Sequence, residues 1–303
     1  MREMPGSHWI ALLVLPMCLH LGCSGGSPPG FDGARAFRDL ETQCGFGPRV
    51  PGTGSHRKME EWLLGLLTGY ADSTSVDSFT IQVEGDTLPE FRNYFAVFHA
   101  AAQRRIFLCA HYDTRPVADR EKDPAARHRP IPGANDGASG VAVLLEVARI
   151  LSEKKPPVGV DMAFFDGEDY GDSPDRMLMG SRRFAAENAT YRPLFGILLD
   201  MVGDRDLRIY QELYSCEASP EIVKRVWEKA KDLGLGDVFI PIPRYAIMDD
   251  HIPLLQAGIR CIDIIDFDYP YWHTSGDTPD KCHPGSLKAV GDVLLALIYE
   301  AEP

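Results

Sequence analysis

GVDMAFFDGEDYG, residues 159–171, decides the fold and raises the first chemical question. Val160 and Met162 to Phe165 make a run of strand length that is apolar almost throughout, the pattern of a strand buried on both faces. The run stops at Asp166-Gly167, and Glu168 and Asp169 then stand side by side. Adjacent carboxylates repel each other when both are ionised away from water. A solvated turn is the simplest home for such a pair, so any other reading has to come from the rest of the chain.

On either side of this stretch, strands alternate with helices. Upstream, RRIFLCAHYD (104–113) and YFAVFHA (94–100) are candidate strands, and SVDSFTIQV (75–83) alternates like a half-buried one. Met59, Trp62, Leu63, Leu66, Leu67 and Tyr70 follow helical spacing. Between the candidate strands, Gly137 to Lys154 reads as a long helix with Val141, Leu144, Leu145, Ala148 and Leu151 on one face. Downstream come the strands FGILLDMVG (195–203) and GIRCIDIIDFD (258–268), with helices over 220–233 and 285–301. This order predicts an α/β fold, a mixed and mostly parallel central sheet with helices on both faces. In such sheets ligands bind at the carboxyl ends of the strands.

The chain has 303 residues and carries 44 acidic against 31 basic side chains, a net charge of −13. That balance argues against nucleic acid as a partner, because phosphate binding needs a basic face. The N-terminus reads as an export signal: WIALLVLPMCLHLG (9–22) is apolar but short and broken by Pro16. It runs into Cys23 and the small-residue stretch SGGSPPG (24–30), which resembles a bacterial lipoprotein signal with Cys23 as the lipidated first residue. An ordinary cleaved signal and an uncleaved anchor are the alternatives. The expected organisation is a signal peptide over 1–22, a tether over 23–30 and a single catalytic domain over 31–303, in the periplasm or cell envelope. After Cys23, Cys44, Cys109, Cys216, Cys261 and Cys282 form an odd set without zinc-type spacing. Cys109 and Cys261 fall inside apolar runs and read as buried thiols.

Polar residues collect where the strands end. His111 and Asp113 follow RRIFLCA, Glu168 and Asp169 follow VDMAFFDG, and Asp200 follows FGILL. Trp272 and His273 follow CIDIIDFDYPY, while Asp136 lies in GANDGASG, a glycine-rich turn before the long helix. Each has an ordinary explanation when taken alone. His111 could be a core histidine, Asp136 a helix cap, Asp200 a strand-end cap and His273 a surface partner of Trp272. Together they are the nitrogen and oxygen donors that bind zinc.

Here the sequence resembles a known family. CAHYDTRP (109–116), GANDGASGVAVLLEVARIL (133–151), FFDGEDYG (164–171) followed by MGSRRFA (179–185), LLDMVG (198–203), DDHIPLLQAG (249–258) and YWHT (271–274) occur in a characteristic order. It is the order of the zinc aminopeptidase superfamily that includes the animal-type glutaminyl cyclases. The resemblance begins at GPRVPGTGSH (47–56) and runs to the last helix. It implies that Asp136, Asp169 and His273 hold a zinc ion and that Glu168 carries a proton, assisted by hydrogen bonds from Asp200 and Asp249. Trp272 would wall the pocket, and the substrates would be peptides or proteins with an N-terminal Gln. Two rival readings share these residues. In a dinuclear aminopeptidase, His111 and Asp200 would bind a second zinc bridged by Asp136; in a binding module, the fold would serve without catalysis.

Three positions depart from the animal cyclases. Asp169 stands where they have a glutamate ligand, so its shorter arm requires a shifted backbone. Asp263 stands where they have a histidine. The segment between Asp169 and Gly180 is shorter than theirs and lacks their pocket tryptophan.

Overall fold

The structure, a computed structural model, describes residues 1, 30–171 and 173–302. The expected signal peptide and the tether with Cys23 lie outside the described residues, Met1 and Gly30 apart. No helix among the described residues is long and apolar enough to cross a membrane.

Two helices, α1 (Gly33–Gly45) and α2 (Gly54–Tyr70), precede β1 (Ser73–Phe79). A small hairpin of β2 (Gln82–Val83) and β3 (Asp86–Thr87) leads to β4 (Phe91–Phe98) and β5 (Arg105–His111). Then follow α3 (Ala138–Glu153), β6 (Gly159–Phe165), α4 (Met179–Glu187), β7 (Gly196–Asp200) and β8 (Ile209–Gln211). The chain closes with α5 (Leu213–Ala218), α6 (Pro220–Asp232), β9 (Phe239–Pro243), α7 (His251–Gln256), β10 (Cys261–Ile265) and α8 (Pro284–Tyr299).

The central sheet has six strands in the order β1-β4-β6-β5-β7-β10. β6, β5, β7 and β10 pair in parallel, while β4 is antiparallel to both β1 and β6. Only β4 therefore opposes the rest, and the sheet is mixed and mostly parallel. The carboxyl ends of β5, β6, β7 and β10 consequently emerge along one edge.

Alternation along β5 shows why its sequence is apolar throughout. Ile106, Leu108 and Ala110 pack into a cluster with residues of α1, α2, α3 and α8. Phe107 and Cys109 point the other way, onto Phe184 of α4 and Leu254 of α7. With both faces covered, a strand has no solvated side on which to place polar residues. The larger cluster runs from Phe31 to Ala301, so the first helix and the last residues share one core.

The stretch 75–83 differs from a single half-buried strand. β1 ends at Phe79, and the next residues turn into the β2–β3 hairpin. Its apolar end still packs as expected, with Phe79 and Ile81 against Val83, Leu88, Phe91 and Met179. The preceding residues form the sheet's edge and leave Val76 exposed. Cys44, Cys109, Cys216, Cys261 and Cys282 are all unbridged, and Cys109 and Cys261 are buried.

Phe184 ties α4 to the sheet, its ring lying 5.2 Å from Phe107, 5.5 Å from Phe95 and 5.7 Å from Phe165. Phe184→Ala should cost about 3–5 kcal/mol by removing that packing. Chemical denaturation of the purified protein measures it, and a loss below about 1 kcal/mol would show that α4 is held by other contacts.

Candidate active site

The strand ends bring the expected donors together. Asp136, Asp169 and His273 each offer one ligand atom within 4.8 Å of the others, and all three are buried. Asp136 comes from the turn before α3, Asp169 from the turn after β6, and His273 from the loop after β10. Asp136 Oδ2 and Asp169 Oδ2 are buried without a hydrogen-bond partner. His273 Nε2 lies 3.7 Å from the first of these oxygens and 3.4 Å from Asp169 Oδ1. Its other nitrogen, Nδ1, is 3.0 Å from Asp119 Oδ1. An imidazole backed by a carboxylate, grouped with two carboxylates that each keep an orphaned oxygen, is the donor set of a catalytic zinc site with an open position.

The backbone is shaped to this purpose. A Cβ on Gly137 would sit 2.6 Å from the His111 ring, so only glycine lets α3 start this close to β5. Gly167 has φ +68, a left-handed turn that glycine adopts freely. His273, Met201 and Leu178 hold the same region without being glycine, at φ 54, 47 and 58. Met201 follows Asp200, and Leu178 donates its backbone N–H to the Glu168 carbonyl at 2.9 Å. Such residues cost roughly 1–3 kcal/mol each and concentrate where geometry matters to function.

Glu168 is buried beside Asp169, with its Oε2 4.0 Å from His111 Nδ1. Burial, and then the neighbouring Asp169 charge, pushes its carboxyl well above the ordinary range. A cation on Asp169 would remove the second push and leave the first. His111 is fully buried, with Nε2 3.1 Å from Asp200 Oδ1 and 3.3 Å from Asp136 Oδ1, and Nδ1 3.4 Å from Asp113 Oδ1. His111, Asp136 and Asp200 thus form a second group with metal-like spacing, but here the imidazole already meets the carboxylates.

The expected hydrogen bonds from Asp200 and Asp249 to Glu168 are absent among the described residues. Asp200 turns to His111 instead. Asp249 accepts from the Asp250 backbone N–H and keeps Oδ2 buried without a partner. Burial, and then the Asp200 charge, raises the Asp249 carboxyl to about 7, so its influence on Glu168 runs through charge and protonation. Trp272 lies against the metal-facing imidazole, its ring centroid 4.1 Å from that of His273.

Comparison with known proteins identifies the family. The family model described as Peptidase family M28 matches residues 93–298. The chain belongs to peptidase family M28. Within this family it is similar to a glutaminyl-peptide cyclotransferase of Drosophila melanogaster, 26% identical over a 264-residue alignment that covers 76% of this chain and 70% of that protein. The crystal structure of Tannerella forsythia glutaminyl cyclase superposes with a TM-score of 0.86 at 39% identity, covering 90% of this chain and 100% of that one. A Zn-dependent exopeptidase from Parabacteroides distasonis gives a TM-score of 0.87 at 35% identity over 91% of this chain and 100% of that one.

Several residues around the cluster take parts that the sequence does not announce. Asp113, noticed only as a strand-end acid, accepts the backbone N–H groups of both Glu168 and Asp169 at 3.2 Å. Arg115 donates to Asp169 Oδ1 at 2.6 Å and also pairs with Asp119. Asp277 accepts from the backbone of Asn135 and Asp136 at 2.8 and 3.2 Å, fixing the turn that presents Asp136. Asp263 on β10 stands within metal-like spacing of Asp249 and His251. An imidazole therefore remains near Asp249, carried by α7 rather than by the strand.

Burial alone would lower the pKa of His273, but the Asp169 charge and the Asp119 hydrogen bond outweigh it and raise it to about 9. A metal must displace that proton. Apparent zinc affinity of the apo-protein should therefore climb by up to about tenfold per pH unit and flatten above pH about 9. Chelator competition across pH 6 to 10 tests this, and an affinity flat over that range would show His273 neutral in the apo-protein.

Proposed function

We infer that this chain is a zinc-dependent glutaminyl-peptide cyclotransferase, converting the N-terminal Gln of peptides or proteins to pyroglutamate with release of ammonia. One observation of the site carries the mechanism. Asp136 and Asp169, each with a buried oxygen that has no partner, converge with His273, and Glu168 stands beside Asp169. Bound by these residues, zinc supplies a Lewis acid that polarises a substrate carbonyl.

The remaining steps belong to the protein. Glu168 takes a proton from the substrate α-amine as that nitrogen bonds to the γ-carbonyl carbon. As the C–N bond to the side-chain amide nitrogen breaks, Glu168 returns the proton and ammonia leaves, so no proton is gained or lost overall. Burial keeps the Glu168 carboxyl basic enough to accept that proton. Asp249 biases its protonation through its charge, Asp200 acts through the His111 imidazole that stands between it and Glu168, and Trp272 beside His273 bounds the site and orients the substrate amide. The ring closes within one molecule, so holding amine and carbonyl together supplies much of the advantage.

A dinuclear aminopeptidase is the second reading, favoured by the metal-like spacing of His111, Asp136 and Asp200. The contacts of His111 with three carboxylates support one zinc instead, with the imidazole as a hydrogen-bonding partner. The purified protein should release ammonia from Gln-initiated peptides without shortening them. Glu168→Gln should lower the rate roughly 10²–10⁴-fold. His111→Gln should keep substantial turnover, because its amide can still donate to a carboxylate. Free amino acids released from Leu- or Ala-initiated peptides, two zinc ions per chain and an inactive His111→Gln variant would establish the peptidase.

Residues 1–22 are proposed as an export signal, with lipid on Cys23 and the catalytic domain over 31–303 held at the cell envelope. Membrane fractionation tests this: Cys23→Ala should release the protein or leave it unprocessed. A native protein that is soluble, with a mature N-terminus elsewhere, would remove the anchor.

A further inference from the structure

The segment GPRVPGTGSH (47–56) lies before residue 93, where the match to the family begins, and contributes no metal-facing atom. Two of its side chains are nonetheless completely buried or nearly so, Arg49 at 0% and His56 at 1% exposure.

Arg49 spends its donors on main-chain carbonyls. Nε donates to Tyr112 at 3.0 Å, Nη1 to Pro132 at 3.0 Å and Nη2 to Gly133 at 2.6 Å. Tyr112 lies between His111 and Asp113, and Gly133 opens the turn that carries Asp136. One planar guanidinium thus joins the β5 exit to the Asp136 turn, and the Thr114 backbone N–H returns a bond to the Arg49 carbonyl at 3.3 Å. A buried cation bonded to neutral carbonyls is expensive unless negative charge lies nearby. Asp277, Asp113 and Asp136 provide it.

His56 reaches the other half of the site. Its Nε2 is 2.9 Å from Asp166 Oδ1, and its ring stacks on Tyr112 with centroids 5.3 Å apart. Asp166 begins the turn that presents Glu168 and Asp169. Its second oxygen accepts the Arg92 backbone N–H at 2.8 Å, its own N–H donates to Asn93 Oδ1 at 3.2 Å, and its carbonyl accepts from Gly180 at 2.9 Å. His56, Glu60 and Asp166 have the spacing of a metal site, but Arg92 already pairs with Glu60 at 2.9 Å and none of the three keeps an orphaned buried atom. The group is an ionic brace.

We propose that Arg49 and His56 are positioning residues that set the two halves of the metal cluster against each other, Arg49 holding the Asp136 side and His56 the Glu168–Asp169 side. This rests on the cluster being the catalytic metal site, and it extends that site to a segment before residue 93, where the family model begins. A short stretch pinned at both ends fixes the distance between the turns it grips, whereas two independent loops would leave the ligand oxygens free to drift. Outer groups that orient metal ligands are typically worth roughly 10–100-fold in metal affinity.

The test compares full-length wild type with His56→Ala, His56→Gln and Arg49→Lys, each first checked for a cooperative thermal transition. Zinc affinity is read by chelator competition, ligand geometry by the visible spectrum of the Co2+-substituted protein, and kcat and KM on a Gln-initiated peptide. His56→Ala should weaken zinc binding roughly 10–100-fold, alter the Co2+ bands and lower kcat with KM little changed. His56→Gln, whose amide N–H can still reach Asp166, should recover most of the loss. Arg49→Lys should resemble His56→Ala, since one ammonium cannot satisfy three fixed carbonyls. Should His56→Ala not fold, His56→Asn takes its place, with an amide too short to reach Asp166. Folded variants with wild-type zinc affinity and Co2+ spectrum would overturn the proposal while leaving the cyclase intact. A wild type that binds zinc but does not cyclise Gln-peptides would instead remove the cyclase and leave the brace to be judged on metal affinity and spectrum.

Discussion

Carboxylates that water cannot reach are the constraint on which the site depends, because a buried charge costs several kcal/mol unless a cation, a proton or a set of N–H donors meets it. The carboxyl edge of the sheet holds many such groups, and each is met differently. Asp113 and Asp277 take backbone N–H groups, so they pin turns while they are being neutralised. Asp166 takes His56 and a backbone N–H. Asp169 gives one oxygen to Arg115, and Asp200 faces His111. After these pairings, Asp249, Asp250 and Asp263 still keep partnerless oxygens, and burial raises their pKa toward the protonated form. Asp136 Oδ2 and Asp169 Oδ2 are left over in the group with His273. A divalent cation there completes the local charge balance, which couples metal binding to the stability of the edge.

The paired acids after β6 become intelligible in these terms. Glu168 and Asp169 share a turn whose backbone N–H groups both reach Asp113, yet their side chains enter different surroundings. Asp169 faces His273 and Arg115, which hold its pKa below the ordinary value against the cost of burial. For Glu168, burial and the Asp169 charge outweigh the His111 imidazole 4.0 Å away, and its pKa moves the other way. Two neighbouring carboxyls driven in opposite directions are an assignment of roles: the one that stays ionised binds, and the one that keeps its proton affinity moves protons.

Sequence reading succeeded where a single periodicity fixes the outcome. The continuous apolar runs of β5, β6 and β7 place both faces in the core, and whatever follows such a run lands at the sheet edge. His111, Glu168, Asp169 and Asp200 were legible for that reason. Asp119, Asp277 and His251 were not, because they come from loops or a short helix whose approach is set by tertiary packing. The motif at 47–56 was visible as a resemblance, but its work was not. Arg49 contacts carbonyls 63, 83 and 84 residues away, and no local pattern announces such partners. The edge strand β1 was overextended because alternation continues through Phe79, Ile81 and Val83 while the chain itself turns into a hairpin.

The aspartate at 169 has a short arm, so its place in the cluster is set by its backbone. A carboxyl one methylene shorter than glutamate reaches the cluster only if its backbone stands closer. The turn is drawn in from several sides at once. Asp113 holds the N–H groups of residues 168 and 169, Gly167 accepts from Met179 at 3.0 Å and Glu168 accepts from Leu178 at 2.9 Å. The left-handed conformations of Gly167 and Leu178 make that double connection to the start of α4 sterically possible. With the backbone fixed on both sides, Asp169 Oδ1 meets Arg115 at 2.6 Å and lies 3.4 Å from His273 Nε2, while Oδ2 stays buried without a partner. The guanidinium is therefore part of the fit: by engaging one oxygen, it fixes the carboxylate's orientation and leaves the other without a protein partner.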